Sequence, residues 1–204
     1  MVKKQGKQRK PCSFSTMFVS ETDGECMALA NMRDLLMNAE AGGYAVGAFN
    51  AANMECIQGI IRAAEACGAP VILQIAEVRL PYSPLRLIAP MMLSAARNAS
   101  VPVAVHLDHG KTVACIREAL DLGFTSVMYD GSTLEYSENL ENTKKTVELA
   151  KKHGASVEAE LGSMGVRESG AGDGSGNEDA TKIYTDPELA SDFVRDTEID
   201  ALAC

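Results

Sequence analysis

The sequence predicts an α/β chain of the (β/α)8 TIM-barrel type, with about six βα units present. Three observations predict it. Short apolar strands alternate with amphipathic helices from about Met27 onward. The strands read as apolar on both faces, as parallel strands covered by helices do. Polar residues gather just past strand ends, at Asn50, Asp108 with His109, Asp130 and Glu160, where a barrel builds its site. A doubly wound sheet also fits the alternation, but no GxGxxG follows the first strand.

The elements follow in order. Residues 26–43 carry helical spacing and stop at Gly42-Gly43. YAVGAFN (44–50) is a strand, and 53–68 is a helix ending at Gly68. PVILQI (70–75) is a fully apolar strand, followed by a helix over 84–99 with Pro90 as a candidate kink. VPVAVHL (101–107) is a strand and 112–123 a helix; TSVMYD (125–130) is a strand and 137–154 a helix. ASVEAEL (155–161) is a strand. A polar, glycine-rich loop covers 162–180. Asp186 and Pro187 open a helix over 186–197 as N-cap and first residue. IDALAC (199–204) begins a sixth strand, where a closed barrel needs eight. The chain is therefore expected to be part of a longer protein, because an open barrel leaves two edges uncovered.

Composition bounds the function. The 204 residues carry a net charge of −9, with no basic stripe, which points away from nucleic acid. Six cysteines lack CxxC spacing, so reduced thiols in a cytoplasmic protein are expected rather than a disulfide framework. No apolar run approaches the roughly 20 residues that span a bilayer, so no membrane partner is expected. MVKKQGKQRK holds five basic residues and no acidic ones. Residues 1–26 are expected to form a disordered basic tail, with a targeting or surface-binding role as the alternative, and 27–204 the N-terminal part of the barrel domain.

The chemistry lies at the strand ends. In HLDHG, His106 and Asp108 share one strand face and His109 falls at the turn. An imidazole beside a carboxylate suits metal-assisted acid/base work. The alternative is a satisfied core histidine and an aspartate capping the next helix. Asp130 in YDGS reads either as a turn residue or as a ligand. Glu158 and Glu160 alternate with apolar residues, so both face one side of a buried strand. Such a pair is costly unless matched or bound to a cation. The 162–180 loop, with Glu168, reads as a lid or binding loop, or as plain disorder. His153, after Lys151 and Lys152 in a last helical turn, suits the helix dipole.

VAVHLDHG, LGFTSVMYDGS, ENTKKTVELAKKHGASVEAELGSMG and IYTDPELASDFVRDTEIDALA, with YAVGAFN…NMECIQGII and PVILQ, resemble class II, metal-dependent fructose-bisphosphate aldolases. The relatives that cleave tagatose bisphosphate or a dehydro-deoxy-phosphogluconate look just as similar. The resemblance covers about 27–204. It implies a carbon–carbon lyase of carbohydrate metabolism and glycolysis, cleaving a ketose 1,6-bisphosphate reversibly to dihydroxyacetone phosphate and an aldehyde. Zinc is the implied Lewis acid, with a second divalent metal as an option. Asp108 matches the residue handling the C4 hydroxyl proton, and His109 matches a zinc ligand. Asp130 and Glu160 match positions for a second or displaced metal, Glu168 the residue taking the C1 proton, and Asn50 a substrate contact.

The resemblance also implies a homodimer or homotetramer. Two further zinc histidines belong to GTxHG and HGxSG motifs, expected beyond Cys204. Ala76 stands where the family offers serine, and Val166 where it has a second glycine. The alternative function is a truncated, inactive barrel serving as a binding or assembly module. A Schiff-base aldolase would need a strand-end lysine, and apart from Lys111, just past HLDHG, the sequence offers no candidate.

Overall fold

The computed structural model describes residues 28–162 and 185–204. Its elements are α1 (Met32–Gly42), β1 (Gly47–Asn50), α2 (Met54–Cys67), β2 (Val71–Ala76), α3 (Leu85–Arg97) and β3 (Val103–Gly110). They continue with α4 (Val113–Leu122), β4 (Ser126–Tyr129), α5 (Tyr136–His153), β5 (Ser156–Glu160), α6 (Pro187–Thr197) and β6 (Ala201–Ala203). A short 3-10 turn, Glu77–Arg79, follows β2. The expected tail, 1–26, lies outside the described residues.

Local chemistry sets the helix ends. The side chains of Asn31, Asn53, Thr112 and Asp186 each accept a hydrogen bond from a first-turn N–H, satisfying donors that the helix cannot. The expected Asp186–Pro187 start is present. Helix α1 begins later than its apolar spacing suggests. Leu29 instead bridges Val103 in a strand-like contact, and Asn31 then caps the helix.

All six strands are parallel and run in sequential order, β1 to β6. Sequential order excludes the doubly wound alternative, whose strand order reverses at a switch point. The sheet curls as a half-barrel with helices against it.

Alternate residues divide the sheet into two faces. Leu73, Ile75, Val103, Val105, Leu107, Val127 and Val157 share one core with α2, α3 and α4 through Ile57, Ile88, Met92 and Ile116. The opposite face corrects the expectation of strands apolar on both sides. It carries Gln74, His106, Asp108, Ser126, Glu158 and Glu160. Its lower part is apolar: Ile72 and Ala104 pack with Met32 and Leu35 of α1. Helix α1 thus covers the N-terminal end of the inner face, and the polar residues lie toward the C-terminal ends. At the edge, β1 is exposed throughout.

Candidate metal centre

Strand β3 positions the first residues. The sequence reading ends this strand at 107 and puts His109 in a turn. The structure extends it to Gly110, with His109 still in the strand but at φ 46°. The ladder to β4 shifts register between Leu107 and Gly110. A side chain at Gly110 would place a Cβ 2.6 Å from the Met128 carbonyl oxygen, so the two backbones approach this closely only through glycine. The Asp130 N–H donates to the Gly110 carbonyl at 2.9 Å. The irregularity therefore brings His109 against Asp130, the residue that follows β4.

Asp130 is both a turn residue and part of the cluster, which joins the two readings left open. Its Oδ1 accepts from Ser132 N–H at 3.2 Å and Ser132 Oγ at 2.7 Å. Its Oδ2 lies 3.0 Å from His109 Nδ1 and 2.7 Å from Lys111 Nζ. Glu160, at the end of β5, places Oε2 3.6 Å from His109 Nδ1. The side chain of Asn139 donates to the Glu160 carbonyl at 2.9 Å, anchoring that strand end. One donor atom each from His109, Asp130 and Glu160 falls within a 4.8 Å group. An imidazole and two carboxylates form a donor set suited to a divalent ion such as zinc.

Asp108 sits beside this group, with Oδ1 3.9 Å from His109 Nε2. It does not cap the next helix; Thr112 does. Asn50 donates through Nδ2 to Asp108 Oδ2 at 2.8 Å and accepts from Ala76 N–H at 2.8 Å. One amide thus ties together the ends of β1, β2 and β3.

Charge distribution follows from this packing. The hydrogen bond to Asp130 outweighs burial and pushes the His109 imidazole up to about 9. Burial opposes ionisation of Asp130, but donors on His109, Lys111 and Ser132 hold its carboxyl well below the usual range. Burial, with Asp108 nearby, raises the Glu158 carboxyl to about 7.

A family model for class-II fructose-bisphosphate aldolase matches residues 30–204. The chain belongs to that family. It is 43% identical over 181 residues to a fructose-bisphosphate aldolase of Staphylococcus aureus, covering 87% of this chain and 61% of the relative. A fructose-bisphosphate aldolase of Giardia intestinalis is 40% identical over 178 residues, covering 87% of this chain and 53% of the relative. Among solved structures, the YdjI aldolase of Escherichia coli K12 superposes with a TM-score of 0.73 at 34% identity, over 85% of this chain and 60% of that one. The chain thus spans less than two thirds of the length of these relatives.

The other ionisable residues singled out in the sequence sort by position. His106 is buried at 1% exposure, with Nδ1 2.8 Å from Ser126 Oγ. Its Nε2 lies 3.4 Å from Glu158 Oε2 without completing a hydrogen bond. Burial lowers this imidazole to about 4, against the opposing pull of Asp108. His106 thus shares the inner face of β3 with Asp108 and meets Glu158 of β5 there. His153 faces Asp121 at 3.6 Å, away from the site, in keeping with a structural part. Lys111 is ion-paired to Asp130, whereas a Schiff-base lysine needs an apolar pocket or a second cation beside it. Glu168 and Val166 lie outside the described residues. The sequence reading does not anticipate the Lys111, Ser132 and Asn50 contacts. The YDGS string carried a turn signal for Ser132; the others join distant strand ends.

Proposed function

We infer that this chain contributes to a metal-dependent aldolase that reversibly cleaves a ketose 1,6-bisphosphate, of fructose or tagatose type, to dihydroxyacetone phosphate and an aldehyde. The observation that carries this reading is the meeting of Asp108 with His109, Asp130 and Glu160 at the ends of three neighbouring strands. His109, Asp130 and Glu160 would hold a zinc ion, with a second divalent ion as a further option. The metal supplies Lewis acidity toward the substrate carbonyl.

This chain's residues do the rest. Asp108 accepts the C4 hydroxyl proton, which lets the C3–C4 bond break. Its carboxylate is held for that task by Asn50, which also meets the substrate. Glu168 removes the C1 proton of dihydroxyacetone phosphate in the reverse direction. Family membership supports a phosphorylated sugar as the substrate; a homodimer or homotetramer as the assembly and the cytoplasm as the compartment are part of the same proposal. Among the described residues, no helix is long and apolar enough to cross a membrane.

The test couples metal analysis to turnover. Purified protein should carry zinc and release triose phosphate from fructose or tagatose bisphosphate. A chelator should abolish the release, and added zinc should restore it. Release unaffected by chelator, or borohydride trapping of substrate on a lysine, would overturn the reading.

A further inference from the structure

The strand-end cluster contains a cation of its own. Lys111 Nζ lies 2.7 Å from Asp130 Oδ2, the same oxygen that faces His109 Nδ1 at 3.0 Å. The ammonium reaches this point because the Lys111 main chain is tied down. Its N–H donates to Glu77 Oε2 at 2.5 Å, fixing the first residue after β3 to the turn after β2.

An ionised carboxylate offers about four lone-pair positions. On Asp130 all four are engaged: two by Ser132 on Oδ1, and two by Lys111 and His109 on Oδ2. A metal ion held by His109 Nδ1 and Glu160 takes the place of the His109 hydrogen bond on Asp130 Oδ2 and meets the Lys111 ammonium on that same oxygen. Two cations at one carboxylate oxygen repel each other. Ser132 holds the other oxygen through its own turn. Lys111 can relieve the repulsion, because its side chain is half exposed and its ammonium can move into water.

We propose that Lys111 is a tethered cation that competes with the metal ion for Asp130, and so sets the metal affinity of the site below what its other donors allow. The proposal rests on the metal-centre reading above. While no metal is bound, the ammonium balances a carboxylate whose donor oxygen lies within 4.8 Å of one on Glu160. When a metal enters, it takes over the charge balance and Lys111 swings out. The competition is electrostatic, so its size depends on the fixed positive charge at position 111.

Equilibrium titration of zinc into metal-free protein, against an indicator chelator, tests this. Wild type is compared with Lys111→Met and Lys111→Arg. The methionine variant should bind zinc at least about 10-fold more tightly, while arginine should stay within about threefold of wild type. A residue serving only to hold the loop would give the opposite result, with weaker zinc binding once it is replaced. Equal or weaker binding by Lys111→Met overturns the proposal. Zinc binding to wild type without tightening in the methionine variant removes the competition alone. No zinc binding by any of the three removes the metal centre, and the competition with it. Thermal unfolding of the metal-free variants confirms that they are folded.

Discussion

Replacing His109 with alanine is expected to lower zinc affinity by at least about 100-fold. Loss of a residue that merely orients a ligand costs 10–100-fold, and His109 would be a ligand itself. It is the sole imidazole in the group of donor atoms, so the variant keeps only carboxylates, which hold zinc less well. Position 109 has left-handed backbone at φ 46°, so a change there can disturb the strand end as well as the donor. Asparagine tolerates that backbone better than most residues, and His109→Asn separates the two effects. Both variants should lose zinc.

The pH dependence adds a second readout. The His109 imidazole is raised to about 9 by Asp130 in the metal-free protein. A protonated ring cannot ligate, so metal binding expels a proton. Wild-type zinc affinity should therefore fall by about tenfold per pH unit below 9 from this group alone. The alanine variant should lose that contribution. Unchanged zinc affinity in both variants would remove His109 from the metal centre.

Asp108→Ala has the complementary signature. Zinc should remain bound, while cleavage of the ketose bisphosphate falls by about 10²–10⁴-fold, the usual worth of one positioned acid/base group. The structure gives Asp108 the right setting. Its carboxylate lies next to the metal group but outside it, and Asn50 fixes one of its oxygens. Isothermal zinc titration and initial-rate assays on the same preparation check both halves. Normal turnover in Asp108→Ala would show that the C4 proton goes elsewhere.

Much of this was open to sequence reasoning because it depends on local periodicity. Two-residue alternation placed Glu158 and Glu160 on one face, and His106 with Asp108 on one face; the parallel ladders keep them there. Helix caps such as Asp186 followed from the chemistry of one turn. Contacts between strand ends did not. Asn50 reaches Asp108 across 58 positions of sequence, and nothing near Asn50 specifies that partner. The extended end of β3 is not legible in the sequence for a similar reason. His109 remains in the strand only because Gly110 lets the β3 backbone close on Met128 of β4. That approach is tertiary, and HLDHG alone reads as a strand followed by a turn. The inner face departs from the expectation of apolar strands because only one side of the sheet is covered by helices along its whole length. In a curled sheet the concave side meets α1 below and polar side chains above.

X-ray absorption at the zinc edge of the metal-loaded protein reads out whether His109 is a ligand. The expected spectrum has a nitrogen and oxygen shell at about 2.0–2.2 Å, including at least one imidazole, with the imidazole signal reduced in His109→Ala. A shell dominated by sulfur at about 2.3 Å, or an imidazole signal that survives unchanged in the variant, would contradict it.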